Sequence, residues 1–206
     1  MGISLSKGGN VSLSKEEPGL NEITIGLGWD ARATDGGDFD LDASLFALGA
    51  SGKVRAAANS ANGLTDDIAD FCFYGNLKIL NDAVVHKGDN RTGAGEGDDE
   101  SIDVTLNAVP QDVQKLAVVI TIAKARELGL NFGMVTNAFA RIVNTKTGRE
   151  IARYDLSEDA ATETAIIIGE VYRHGAEWKF KAVSQGFAGG LYKVCHLFGI
   201  NADDNG

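Results

Sequence analysis

Short apolar runs with a two-residue period recur along the chain, separated by clusters of Gly, Asn and Asp. That spacing predicts many short strands joined by turns, not an alternation of strands and long helices. Residues 3–13 alternate loosely and predict one or two strands around Gly8 and Gly9. Ile23, Ile25, Leu27 and Trp29 then alternate with Thr24, Gly26 and Gly28, the pattern of a half-buried strand that ends at Asp30. In DFDLDASLF at 38–46, Phe39, Leu41, Ala43 and Leu45 share one face, and Asp38, Asp40, Asp42 and Ser44 share the other. Further strands are predicted at 71–74, 83–86, 102–106, 138–144, 151–156, 165–172 and 178–182, with hairpin turns at Thr147-Gly148 and His174-Gly175. LAVVITI at 116–122 is apolar and β-branched throughout, as in a strand covered on both faces.

Helical spacing is rare. Residues 124–130 predict a short helix closed by Gly129 or Asn131, and residues 55–69 read as a loop. Leu191, Val194, Cys195 and Phe198 recur at helical intervals ahead of Gly199, predicting a terminal amphipathic helix with a glycine cap. The expected architecture is mostly β: a two-sheet β-sandwich with short peripheral helices and a C-terminal amphipathic helix. One domain over 1–200 and a flexible acidic tail at 201–206 complete the expectation.

Composition adds constraints on function. The chain has 206 residues and a formal net charge of −10, which disfavours nucleic acid and anionic membrane as bulk electrostatic partners. The two cysteines, Cys72 and Cys195, form no metal-binding pair and are too few for a disulfide framework, so a reducing compartment is expected. No run approaches the roughly 18 apolar residues of a membrane span. The first ten residues lack an apolar run and predict no signal peptide.

The acidic residues are where chemistry concentrates. Six of the seventeen residues at 87–103 are acidic: Asp89, Glu96, Asp98, Asp99, Glu100 and Asp103. At ~4 Å and an effective dielectric of ~20, each close pair of carboxylates costs about 4 kcal/mol. A hard cation removes that cost, and carboxylate and carbonyl oxygens are the ligands calcium takes. On the 38–46 strand, residues two apart lie ~6.6 Å from each other, so Asp40 and Asp42 can converge on one ion.

Other chemistries fit poorly. With Asp89 and Glu100 at the first and twelfth positions of an EF-hand loop, the required sixth-position glycine is Ala94, and the flanks read as strands. His86, His174 and His196 lie in no zinc-type spacing and read as surface or cap histidines. There is no GxSxG, and GLGWD lacks the third glycine and following helix of a nucleotide fingerprint. The glycine-rich loop also lacks the Lys-Ser/Thr ending of a P-loop.

The stretches SLSKGGNVSLSK, GLGWDAR, FDLDAS, GDNRTGAGEGDDESI, ARYDLSEDAATETA, GEVYRHGAEWKFKAVSQGFAGGL and CHLFGIN together resemble the TerD family of tellurium-resistance and stress proteins. The likeness runs over residues 1–201, and every fixed position of GDNxxGxxxGDDExI is met at 88–102. The Ala/Asn-rich stretch at 56–67 departs from it by its length. The resemblance implies a β-sandwich of the bacterial cytoplasm that binds calcium, with two ions expected. It implies a role in resistance to tellurite and other stresses, without catalysis. The partners implied are other proteins of a tellurium-resistance cluster, some membrane-bound, which opens the way to recruitment at the inner membrane face. Carried onto this chain, the motif marks Asp89, Asn90, Asp98, Asp99 and Glu100 as metal ligands; the strand patterns add Asp30, Asp40 and Asp42. Asp35, Asp38 and the backbone oxygens at Gly93 or Gly95 are secondary candidates. Two other functions compete: a metal-assisted phosphoester hydrolase, for which only Arg32 and Arg91 lie near the acids, and a calcium-dependent membrane adaptor, for which no apolar loop tip is evident.

Overall fold

The computed structural model describes residues 2–31, 40–55, 69–88, 97–156 and 162–202, with backbone alone at 30 and 31. The expected loop at 55–69 and tail at 201–206 lie largely outside these residues.

Two sheets pack face to face. Going along the chain, β1 is Ile3–Leu5, β2 Asn10–Ser12, β3 Glu22–Ala31, β4 Leu41–Leu48, β5 Phe71–Cys72, β6 Lys78–Ile79 and β7 Val84–His86. Then come β8 Glu100–Thr105, β9 Lys115–Ile122, β10 Val135–Asn144, β11 Glu150–Asp155, β12 Ala165–His174 and β13 Glu177–Phe187. One sheet has seven strands in the order β1-β11-β10-β3-β8-β7-β6; the other has six in the order β2-β13-β12-β9-β4-β5. The loosely alternating segment at 3–13 resolves into two strands that join different sheets. β1 pairs parallel with β11, and β2 pairs antiparallel with β13. Gly8, at φ +82°, turns the chain between them, and its N–H donates to the Ala182 carbonyl.

The alternation read from the sequence sets the inner faces. Ile23, Ile25, Leu27 and Trp29 of β3 meet Leu41, Ala43 and Leu45 of β4 and Leu116, Val118 and Ile120 of β9 in one buried core. Ala117 and Val119 belong to a second core on the outer face of the six-stranded sheet, so LAVVITI is covered on both sides as its composition predicts. The lid of that second core is α3, Gly190–Phe198, which lays Val194, Cys195 and Phe198 against Phe46, Leu48 and Phe71. Gly199 at φ +90° caps it. This lid changes the reading of β4. On its outer face only Asp42 is more than marginally accessible; Ser44, the next outward position, is 1% exposed, and Phe46 and Leu48 follow it under α3. The two-residue β6, paired with β7, was not foreseen because a strand that short carries no periodicity. α1, Leu13–Glu16, and α2, Ala125–Leu128, are single turns, the latter closed by Gly129 in the left-handed region.

Candidate metal centre

The stem of the acidic loop sits where β3, β4, β7 and β8 approach one another, and its three consecutive acids leave it in three directions. Asp98 lies over the outer face of the seven-stranded sheet. Arg141 of β10 donates to it through Nε at 2.7 Å and Nη2 at 3.1 Å, and also stands 3.5 Å from Glu150. Hydrogen bonding to Asp98 raises the Arg141 pKa above its ordinary value, against the opposing effect of burial. A Cβ at Gly26 would overlap the Asp98 carboxylate, and one at Gly28 would overlap the Phe139 ring. The GxG of GLGWD is therefore a flat floor on which the loop end and an aromatic ring rest.

Asp99 prolongs the ladder between β3 and β8. Its N–H donates to Leu27 O at 2.8 Å, and its Oδ2 accepts from Trp29 N at 2.8 Å. Glu100 turns inward. It is 3% exposed, and its Oε2 accepts the Ala43 N–H at 2.6 Å, a bond that crosses from one sheet to the other. The Ala43 N–H can donate it because, among the described residues, β5 pairs with Leu45 and Phe46 of β4 and its ladder ends short of Ala43. His86 completes the arrangement. Its Nε2 lies 3.2 Å from Ala43 O and 3.5 Å from Glu100 Oε2, and its Nδ1 accepts from Gly88 N at 3.1 Å. The sequence reading of His86 as a surface or cap residue is corrected: it is 3% exposed and central to the stem. Asp103 is a strut, accepting from Thr24 Oγ1 at 2.8 Å and pairing with Lys87 at 3.1 Å.

Asp40 and Asp42 lie elsewhere. Asp42 alternates with the inward Leu41 and Ala43, and with Asp40 it lines a cavity of about 920 Å³ beside α2 and the start of α3. Lys124, Arg126, Leu130 and Leu191 are among the other walls. The two acidic clusters are thus not neighbours within one sheet; the Glu100–Ala43 bond, one residue from Asp42, crosses between them. The side chain of Asp30 and the whole of Asp89 and Asn90 lie outside the described residues. Among the described residues, no group of three or more His, Cys, Asp or Glu side chains is placed to hold a metal. The donors at hand are carboxylates, and both ring nitrogens of His86 have partners within the protein. By donor chemistry the stem suits a hard oxygen-seeking cation and not zinc.

Sequence reasoning missed Gly26, Gly28, His86 and Arg141. For Arg141 a signal existed: a lone cation at an outward position of β10, between the buried Ala140 and Ile142. Cys72 and Cys195 are free and buried, and burial pushes both thiols up to about 11. No helix among the described residues is long and apolar enough to cross a membrane.

A TerD domain model matches residues 1–198. The chain belongs to the TerD family. It is 56% identical to the tellurium resistance protein TerD of Alcaligenes sp over 202 residues, covering 98% of this chain and all of that one. It is 52% identical over 201 residues to general stress protein 16U of Bacillus subtilis, covering 97% and 98% of the two chains. A solved TerD homologue from Streptomyces coelicolor A3(2) superposes with a TM-score of 0.63 over 84% of this chain and 95% of that one. At 19% identity, that likeness speaks for the TerD sandwich fold alone.

Proposed function

We propose that this TerD protein is a non-enzymatic, calcium-binding module of tellurite resistance and general stress response, acting on partners through its acidic loops. The names of relatives above 50% identity over almost the full length support the physiological half of this reading. The chemical half rests on one observation. Asp98, Asp99 and Glu100 are consecutive carboxylates, each held by a different element, at the foot of a loop that carries Asp89, Asn90 and Glu96. Anchors of this kind fix both the base of the loop and the direction of each stem carboxylate, which lowers the entropy lost when an ion is taken up. The residues that would hold calcium are Asp89, Asn90, Asp98, Asp99 and Glu100, with Asp30, Asp40 and Asp42 from the neighbouring segments. A bound ion supplies positive charge that offsets carboxylate repulsion; the chain's own part is to orient the carboxylates through Arg141, Trp29 N–H and Ala43 N–H. The partners proposed are other tellurium-resistance proteins, in keeping with the net charge of −10 that disfavours nucleic acid.

Calorimetric titration of the chelator-treated protein with calcium tests this reading. Dissociation constants of roughly 10⁻⁷ to 10⁻⁴ M are expected, with a rise in melting temperature as calcium exceeds them. Absence of both heat and stabilisation overturns it. Turnover of nucleotides or phosphoesters that vanishes in Asp98→Ala would replace it by metal-assisted hydrolysis.

A further inference from the structure

The two stems of the acidic loop are described on either side of it, and one side chain touches both. Gly88, at the entrance, donates its N–H to Nδ1 of His86 at 3.1 Å. A backbone N–H only donates, so Nδ1 is the acceptor and the neutral ring carries its proton on Nε2. Nε2 faces Ala43 O at 3.2 Å and Glu100 Oε2, at the loop's exit, at 3.5 Å. Glu100 in turn takes the Ala43 N–H at 2.6 Å. The backbone of Ala43 is therefore held at both its N–H and its carbonyl by side chains from β7 and β8, strands of the other sheet. His86 is fixed in its own strand by its N–H to Leu77 O at 2.8 Å.

We infer that His86 is a positioning residue that locks Gly88 and Glu100, at the entrance and exit of the acidic loop, to the Asp42–Ala43 segment of the opposite sheet, so that the placement of Asp42 relative to the exit acids, and with it cation affinity, is set through it. The metal half of this statement rests on the proposed function; the mechanical half does not. The imidazole is the right length for the task, since its two nitrogens point in different directions and reach partners on two strands and a turn. His86, Ala43 and Glu100 are buried together, and Gly88 is half-buried at their edge. Loss of the ring frees Gly88, whose φ of +116° already places it outside the common backbone regions, together with Ala43, which adjoins the candidate ligand Asp42. Groups that orient metal-binding carboxylates typically govern affinity by 10- to 100-fold.

The test uses the full chain with His86→Leu, His86→Gln and His86→Asn. Gln keeps a donor near the Nε2 position, and Asn keeps an acceptor near the Nδ1 position. Two measurements are made: calcium titration by calorimetry, and hydrogen exchange of backbone amides in chelator without metal. In chelator, His86→Leu is expected to speed exchange at Ala43 and Gly88 together while Val171 and Phe180 of the β12–β13 hairpin keep their protection. Gln should restore protection at Ala43 and Asn at Gly88. With calcium, Leu should weaken binding roughly tenfold or more, and Gln and Asn should recover part of it. Wild-type calcium affinity in His86→Leu overturns the inference, as does loss of protection spread evenly over the sandwich, which marks a merely structural residue. If the unaltered protein takes no calcium, the ion reading falls, while the exchange data still decide whether His86 couples the segments.

Discussion

Gly26 carries no side chain because the Asp98 carboxylate occupies that space on the outer face of β3. Gly26→Ala is expected to destabilise the protein by about 1–3 kcal/mol, the usual penalty of overpacking a site that has no slack, read from a shift in the urea midpoint at unchanged slope. Glu100 poses the opposite problem. Glu100→Ala leaves the buried Ala43 N–H without its acceptor, at a cost of about 1–3 kcal/mol, whereas Glu100→Gln retains an acceptor oxygen and loses less; thermal melts of the two variants measure the gap. The thiols give a pH dependence. Burial raises Cys72 and Cys195 from the ordinary 9.0 to about 11, so the folded state holds their protons more tightly than the unfolded chain. Their contribution to stability is complete below pH 9 and is lost as pH climbs toward 11. Replacing both by Ser should flatten the alkaline limb of the melting-temperature profile over that window. At pH 8 both should resist a thiol-specific reagent until denaturant is added.

At the scale of elements, α3 is the cover of the second core. Phe198, 5% exposed, packs 4.9 Å from the Phe46 ring, which itself stacks on Phe71 at 4.2 Å. Phe198→Ala should cost about 3–5 kcal/mol, measured by chemical unfolding, and should expose the aromatic stack to a hydrophobic dye. The strand pattern that lies beneath was legible in the sequence. Ile23 to Trp29 carries the two-residue period of a strand, LAVVITI is marked as one by its β-branched residues, and the terminal helix announced itself by its spacing and Gly199. What stayed hidden was pairing between distant segments. Alternation tells which side chains share a face, yet not which sheet a strand joins, so β4 and β8 could be imagined side by side when they lie in opposite sheets. For the same reason Asp98 and Glu100 looked alike as acids, although one meets Arg141 forty-three positions along the chain and the other meets Ala43 fifty-seven positions back. The Ala/Asn-rich departure at 56–67 lies outside the described residues, but the ends that carry it are described. Arg55 and Asp70 close its base with three hydrogen bonds, from Arg55 N, Nε and Nη2 at 3.0, 2.7 and 2.6 Å. Added length above such a clamp costs little, about 0.6 kcal/mol per doubling of the loop.

For the molecule as a whole, a net charge of −10 means that the folded state repels itself. Sodium chloride should raise the melting temperature gradually by screening. Calcium at matched ionic strength should raise it further and level off once the proposed sites fill; equal effects of the two salts would reduce calcium to a counter-ion. The path of the amino-terminal residues has a separate consequence. β1 adds to the edge formed by β11, and β2 adds to the edge formed by β13, so one short segment finishes both sheets. Those partners are residues 150–155 and 177–187. During synthesis on the ribosome, β1 and β2 emerge well over a hundred residues ahead of their partners, and neither border can be sealed until β11 and β13 follow. A nascent chain stalled near residue 145 would carry two homeless strands, a natural substrate for chaperones.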